Sequence, residues 1–162
     1  MQTIKTRILS NLSFSVLTGM LVLYVLVRAV CMDMTHDEAY SFYNVKHFWY
    51  VETLCTGNTH WFNFLAIKTA VLLGCEKAWQ LRWFTLLSAI VFLGVGYHWL
   101  KTIKSTPAKV FAFSFLLLNP YLLDYLSLAR GYAAGLMFES LGICFLMVAY
   151  SGKRSWHSFF AL

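Results

Sequence analysis

The apolar run of residues 8–32 is the feature that most restricts what this chain can fold into. Lipid cannot hydrogen-bond to the backbone, so a single segment crosses it as an α-helix, and at roughly 1.5 Å per residue this run can cross a hydrocarbon core of about 30 Å. The small-residue cleavage pattern of a signal peptide is missing, which predicts an uncleaved first transmembrane helix. Charged residues make up only 12% of the chain, too few to cover a water-soluble globule.

Three further apolar runs follow the first one: residues 81–100, 110–118 and 129–150. A candidate helix at residues 60–73 is shorter than a span, and its polar residues His60, Asn63 and Lys68 share one broad arc, as is typical of a helix at the membrane interface. A short helix is predicted at residues 38–49. We therefore predict an all-α, polytopic transmembrane bundle of four spans plus an interfacial helix, as one membrane-embedded module.

Basic residues indicate the topology. If residues 60–73 do not cross the membrane, three basic clusters lie on one side, as the positive-inside rule requires: Lys5 and Arg7, then Lys101, Lys104 and Lys109, then Lys153 and Arg154. This predicts a cytoplasmic N-terminus, with the loop of residues 33–59 facing the turn of residues 119–129 on the other side. The net charge of +6 forms no basic stripe, which argues against nucleic acid as a partner.

Two adjacent carboxylates, Asp37 and Glu38, follow the first apolar run. A carboxylate at a membrane surface can serve as a general base, or it can hold a divalent metal ion that neutralises a phosphate. The alternative is a solvated pair that caps the helix that follows, since acids favour helix N-termini. Both interpretations stay open on the sequence alone.

Arg130 lies at the start of the last apolar run, at a helix N-terminus where the dipole opposes a cation. This position predicts an anionic partner, either a phosphate held bidentately or Asp124 nearby. Four further residues predict an anion-attracting rim at the same surface, although each alone is more often a membrane anchor: His60, Lys68, Lys77 and Arg82.

Glu139 lies inside the last run and is costly in lipid unless it is paired. With Gly131, Gly135 and Gly142 it follows a small-xxx-small spacing, which predicts that it points into a close helix contact. Cys31, Cys55 and Cys75 fall on one side of the membrane, where free thiols and a disulfide are both open.

The order and spacing of four stretches resemble the N-terminal part of type-C membrane glycosyltransferases, the superfamily of protein O-mannosyltransferases and lipid A aminoarabinose transferases. These stretches are Thr35-His36-Asp37-Glu38-Ala39-Tyr40, Asn58-Thr59-His60-Trp61 leading to Lys68, Leu81-Arg82-Trp83-Phe84-Thr85-Leu86-Leu87-Ser88, and Ser127-Leu128-Ala129-Arg130-Gly131-Tyr132. Members are several hundred residues long, so the resemblance implies an N-terminal fragment of a longer transferase.

The resemblance implies an inverting transferase of the bacterial inner membrane with a polyprenyl-phosphate-linked sugar as donor. It implies that Asp37 is the base or metal contact, with Glu38 beside it, and that Arg130 and Tyr132 lie near the donor phosphate, helped by Arg82 or Lys68. His60 falls where many members have His-Pro-Pro, but the prolines are absent here. It is a candidate substrate-binding residue.

Two other classes of function compete with this interpretation. One is a small non-enzymatic assembly or scaffold protein that packs through Gly131, Gly135 and Gly142. The other is a transporter fragment in which Glu139 couples an ion, although no matching half-repeat is visible in the sequence.

Overall fold

The computed structural model describes residues 2–47 and 60–150. All regular structure in these ranges is helical, which confirms the all-α prediction. The helices are α1 (Gln2–Cys31), α2 (His36–His47), α3 (Trp61–Leu72), α4 (Ala78–Leu81), α5 (Trp83–Thr102), α6 (Thr106–Leu116), α7 (Pro120–Ser127) and α8 (Tyr132–Tyr150). Cys55 and the end of the helix predicted at residues 38–49 lie outside the described ranges.

In the part of the chain that the structure describes, three helices are long and apolar enough to cross a membrane: Asn11–Cys31 within α1, and the whole of α5 and α8. The pair of α6 and α7 passes the same test as one broken span, bent by 51°. The third apolar run therefore continues past Asn119 and Pro120 instead of stopping there. The Asn119 side chain accepts hydrogen bonds from the first turn of α7, and Pro120 suits that turn because its missing N–H is not needed there.

Helix α5 lies at the centre of the bundle, packed against both α1 and α8. The core joins five helices through buried apolar side chains: Phe14, Leu21, Val25, Ala89, Phe92, Leu93, Leu100, Phe113, Leu117, Leu123, Leu126 and Ala133. At one end, Lys109 is buried and its ammonium donates to Asn11 Oδ1 at 2.7 Å. Lys109 was expected in a solvated basic cluster, but its side chain instead ties the start of α6 to α1.

A second, smaller apolar cluster lies at the other end, where α2, α3 and α4 cover the start of α5. It is formed by Val45, Ile67, Ala70, Leu81 and Ala129. Helix α3 exposes Phe62 and Leu65 and buries Asn63 together with Ala66, Ile67 and Ala70. Its buried face is therefore mainly apolar with one polar residue, and its position at the membrane interface stays a prediction.

Helix α8 does not pack against the described helices through the face that carries its glycines and Glu139, although the sequence had predicted this. Its inward face consists of Ala133, Ala134, Met137, Ser140 and Cys144. Gly135, Glu139 and Gly142 lie outward, and a Cβ built on either glycine would meet no atom within 4 Å. Glu139 therefore does not point into a close contact between described helices. The prediction from the small-xxx-small spacing was wrong because glycine permits two helices to approach closely but does not require this within the chain.

Candidate functional site

The start of α2 meets the segment before α8 at one end of the bundle. The Glu38 carboxylate accepts a hydrogen bond from the Ala129 backbone N–H at 2.7 Å, and the Asp37 carboxylate lies 3.1 Å from the Arg130 guanidinium. Glu38 and Ala129 are 91 positions apart in the chain. The start of α2 and the segment before α8 therefore form one polar site.

A buried ion pair between Glu38 and Arg82 holds this site together. Two parallel hydrogen bonds of 2.7 Å join the Arg82 Nε and Nη2 to the two carboxylate oxygens. The remaining guanidinium N–H groups donate to the carbonyl oxygens of Ala29, Met32 and Asp33, at the C-terminal end of α1 and just beyond it. All five N–H donors of Arg82 are thus satisfied, as a fully buried guanidinium requires.

The Glu38 carboxylate is equally saturated. Besides the hydrogen bonds from Arg82 and Ala129, the carboxylate accepts one from the backbone N–H of Thr35 and one from its hydroxyl. The bond from the backbone N–H is one half of a capping box at the start of α2. Burial raises the pKa of Glu38, but the hydrogen bonds from Arg82, Thr35 and Ala129 outweigh it, so the pKa lies below its ordinary value. Glu38 is therefore an anion held in place by donors on three segments.

These contacts give no support to two predictions from the sequence. Glu38 was a candidate catalytic residue beside Asp37, but it is only 3% exposed and its acceptors are occupied. Arg82 was a candidate phosphate ligand, but no N–H of its guanidinium is left for an anion. In this arrangement both residues fix the positions of α1, α2, α5 and the segment before α8.

The four residues between α7 and α8, residues 128–131, are held from both sides. Glu38 binds the N–H of Ala129, and the buried Asn63 side chain of α3 donates to its carbonyl at 2.6 Å. Gly131 has a φ of +80°, which favours glycine, and a Cβ there would lie 2.5 Å from the Cβ of His60. The segment is therefore rigidly positioned, and it presents Arg130 next to Asp37.

Asp37 and Arg130 form the accessible part of the site. The Asp37 side chain is 61% exposed and that of Arg130 is 31% exposed, so both can meet a ligand. The Arg130 Nε is buried and has no hydrogen-bond partner among the described residues. Asp124 is not the partner of Arg130, as the sequence had allowed, because it pairs with Arg28 at 2.9 Å.

Aromatic rings form one wall beside Arg130. The Tyr132 ring meets the His60 ring edge-on at 4.9 Å between centroids and lies 4.5 Å from the Tyr125 ring. His60 and Tyr132, two predicted site residues, are thus brought together. Lys68 is half-buried on α3 and lies eight residues beyond His60, or about 12 Å along the helix. Its contribution to anion binding stays a prediction.

A divalent metal ion at Asp37 does not fit the described side chains. Within residues 2–47 and 60–150 there is no group of three or more His, Cys, Asp or Glu residues that could hold a metal. The near neighbours of the Asp37 carboxylate are the exposed His36 ring at 3.7 Å and the Arg130 guanidinium, a cation that repels a metal ion. We derive no chemical step through a metal.

Sequence reasoning missed Asn63 as a part of the site. It was placed on the polar arc of α3, but nothing in the chain pointed to the Ala129 carbonyl, which is 66 residues away. An amide in an otherwise largely apolar helix was the available signal, because such a group needs a hydrogen-bond partner if it is buried.

Comparisons with known proteins add no family to this description. The chain matches no protein-family model, no curated protein and no solved structure.

Proposed function

We propose that the chain is a glycosyltransferase module that transfers a sugar from a polyprenyl-phosphate donor to an acceptor on the non-cytoplasmic face of the bacterial inner membrane. A four-span topology with a cytoplasmic N-terminus would put residues 33–59 on that face. The observation that carries the proposal is the exposed pair of Asp37 and Arg130, 3.1 Å apart at one end of an apolar helical bundle. A base and a phosphate-binding cation are the two groups that this reaction requires.

In the proposed reaction Asp37 acts as the general base. Its carboxylate accepts the proton of the acceptor hydroxyl or amine, while the acceptor atom forms a bond to the anomeric carbon. The bond from that carbon to the phosphate oxygen breaks on the opposite side, and its electron pair leaves with the lipid phosphate. This displacement inverts the anomeric configuration, and Arg130 stabilises the charge that develops on the departing phosphate.

The pairing of Asp37 with Arg130 couples donor binding to base activation. Without donor, each group neutralises the other. A phosphate competes for the exposed part of the guanidinium as a charged acceptor. Once Arg130 turns to the phosphate, the Asp37 carboxylate is free to accept a proton.

The aromatic wall suits the sugar of such a donor. The exposed His60 and the partly exposed Tyr132 and Tyr125 offer ring faces beside Arg130, where the C–H groups of a sugar ring can pack. Lys68 would contribute a second positive charge on the α3 side. Membrane lipid is a further expected partner of the chain.

Binding of polyprenyl phosphate to the protein in lipid nanodiscs, measured by native mass spectrometry, tests the role of Arg130. We expect Arg130→Gln to weaken binding by at least about tenfold, the loss of one charge-assisted contact, and Arg130→Lys to recover part of it. Lys101→Gln is the matched control, because Lys101 is an exposed cation on α5 that lies against Tyr97. Equal binding by Arg130→Gln and the control would contradict the proposal.

The non-enzymatic alternative, a scaffold protein packing through Gly131, Gly135 and Gly142, keeps only part of its basis. Gly131 precedes α8 and lies against His60, so it is not on a helix-packing face. Gly135 and Gly142 remain open to a partner helix.

A further inference from the structure

The outward face of α8 carries an acidic residue in the middle of a candidate span. Met137 is buried against the bundle, and Glu139 follows two positions later, about 200° around the helix. The Glu139 side chain is therefore exposed on the side of α8 that does not pack against the bundle. Glu139 is the eighth residue of α8, about 10 Å from the start of that helix.

This placement is energetically unfavourable without a partner. An ionised carboxylate within the hydrocarbon region is costly, and acidic residues in spans usually face other protein groups. Across the described residues, none makes an ion pair or a hydrogen bond with the Glu139 side chain. The other members of this face are apolar or glycine, so nothing on α8 compensates the charge.

Two glycines flank Glu139 at helical spacing. Gly135 lies one turn before it and Gly142 nearly one turn after it, and the space beyond both Cα atoms is empty to 4 Å. Such a surface lets a second helix approach closely enough for its side chains to reach the carboxylate. The open surface beside Gly135 and Gly142 is called the glycine groove below. The Glu139 carboxylate and this groove are independent features that lie at the same depth of α8.

We propose that this face of α8 binds a transmembrane helix that carries a lysine or arginine at the depth of Glu139. Charge complementarity decides the occupant. A second copy of this chain in a symmetric dimer would bring one Glu139 against the other, and two like charges in a low dielectric repel. A basic partner helix satisfies both carboxylate oxygens and uses the glycine groove. This inference does not depend on the proposed transferase activity.

The test uses the full chain in phosphatidylcholine vesicles and synthetic transmembrane peptides of about 20 leucine and alanine residues. One peptide carries a single lysine at the depth of Glu139, and its matched control carries leucine there. Association is measured by fluorescence energy transfer between labelled protein and labelled peptide. We expect the lysine peptide to bind at least about tenfold more tightly than the leucine peptide.

Two variants separate the charge from the groove. Glu139→Gln should remove most of the preference for the lysine peptide, while Gly135→Leu should weaken binding of both peptides by blocking the approach. Both positions face outward, so unchanged circular dichroism verifies that each variant is folded. Equal binding of the two peptides to the wild type would overturn the proposal. Self-association of the chain that is tighter than binding of the lysine peptide would also overturn it.

Discussion

Asp37 and Glu38 are neighbours in the chain, yet their surroundings differ completely. Glu38 is buried, carries hydrogen bonds on both oxygens and holds Arg82, whereas Asp37 is exposed and, among the described residues, lies close to Arg130 and His36. Successive residues in the first turn of α2 point about 100° apart. Glu38 therefore points into the protein, and Asp37 points toward the accessible side of the site. At the residue scale, one acid supports the site and the other is available for chemistry.

Glu38→Gln should strongly destabilise the protein. The change leaves the Arg82 guanidinium buried without a counter-charge, and breaking such a pair costs about 3–5 kcal/mol in the free energy of unfolding. Titration of the detergent-solubilised protein with dodecyl sulfate measures this quantity. The control is Glu76→Gln, which breaks the exposed pair with Lys46 and should cost no more than about 1 kcal/mol.

The same pair predicts a pH dependence. Because the pKa of Glu38 is lowered in the folded protein, its contribution to stability is complete above the unfolded value of about 4.3 and is lost as the pH falls through the lowered pKa. The stability gap between wild type and Glu38→Gln should therefore narrow in that acidic range. A gap that is constant from neutral to strongly acidic pH would contradict this role.

Gly131→Ala should be far more damaging than other glycine replacements. A Cβ at residue 131 meets both an unfavourable positive φ and the His60 side chain, and such strain costs about 1–3 kcal/mol or more. Gly74 shares the positive φ but has open space, and Gly135 has open space within a helix. Thermal unfolding should thus rank the variants as Gly131→Ala least stable, then Gly74→Ala, then Gly135→Ala. A Gly131→Ala variant that is more stable than Gly74→Ala would refute the contact with His60.

At the scale of the helices, the sequence predicted the positions of the elements well wherever a long apolar run determines them. Long apolar runs became α1, α5 and α8, because only a helix satisfies the backbone in lipid. The weak point was the third run, where Asn119-Pro120 was taken as an end. Asn-Pro is a signal for a turn and also for a new helix start, and only the packing of Leu123 and Leu126 into the core shows that the chain continues as α7.

Asn119→Ala should loosen the junction between α6 and α7. The Asn119 side chain accepts hydrogen bonds from the N–H groups of Tyr121 and Leu122, and loss of such a cap costs about 1 kcal/mol. Asn119→Asp keeps the acceptor and is the matched control. Amide hydrogen exchange in α7 should rise in the alanine variant alone; equal exchange in both variants would argue against a capping role for Asn119.

At the scale of the whole molecule, the site exists only because distant segments meet. Glu38 and Arg82 are 44 residues apart, and Asn63 and Ala129 are 66 apart. Local patterns carry no information on such pairings, so the sequence suggested which residues bear charge but not which of them neutralise one another. The charge-based topology predicted that the loop of Asp37 faces the turn of residues 119–129, and the side of the membrane on which they lie stays a prediction. The structure brings Asp37 to Arg130, just beyond that turn.

The most direct test of the account is sugar transfer by the protein in vesicles supplied with polyprenyl-phosphate-linked hexoses and pentoses and with membrane-lipid acceptors. We predict that Asp37→Asn lowers the rate by at least about 100-fold, the usual contribution of a general base, while polyprenyl phosphate binding is retained because Arg130 is freed. Glu76→Gln should transfer at the wild-type rate. Transfer at the wild-type rate by folded Asp37→Asn would contradict the account.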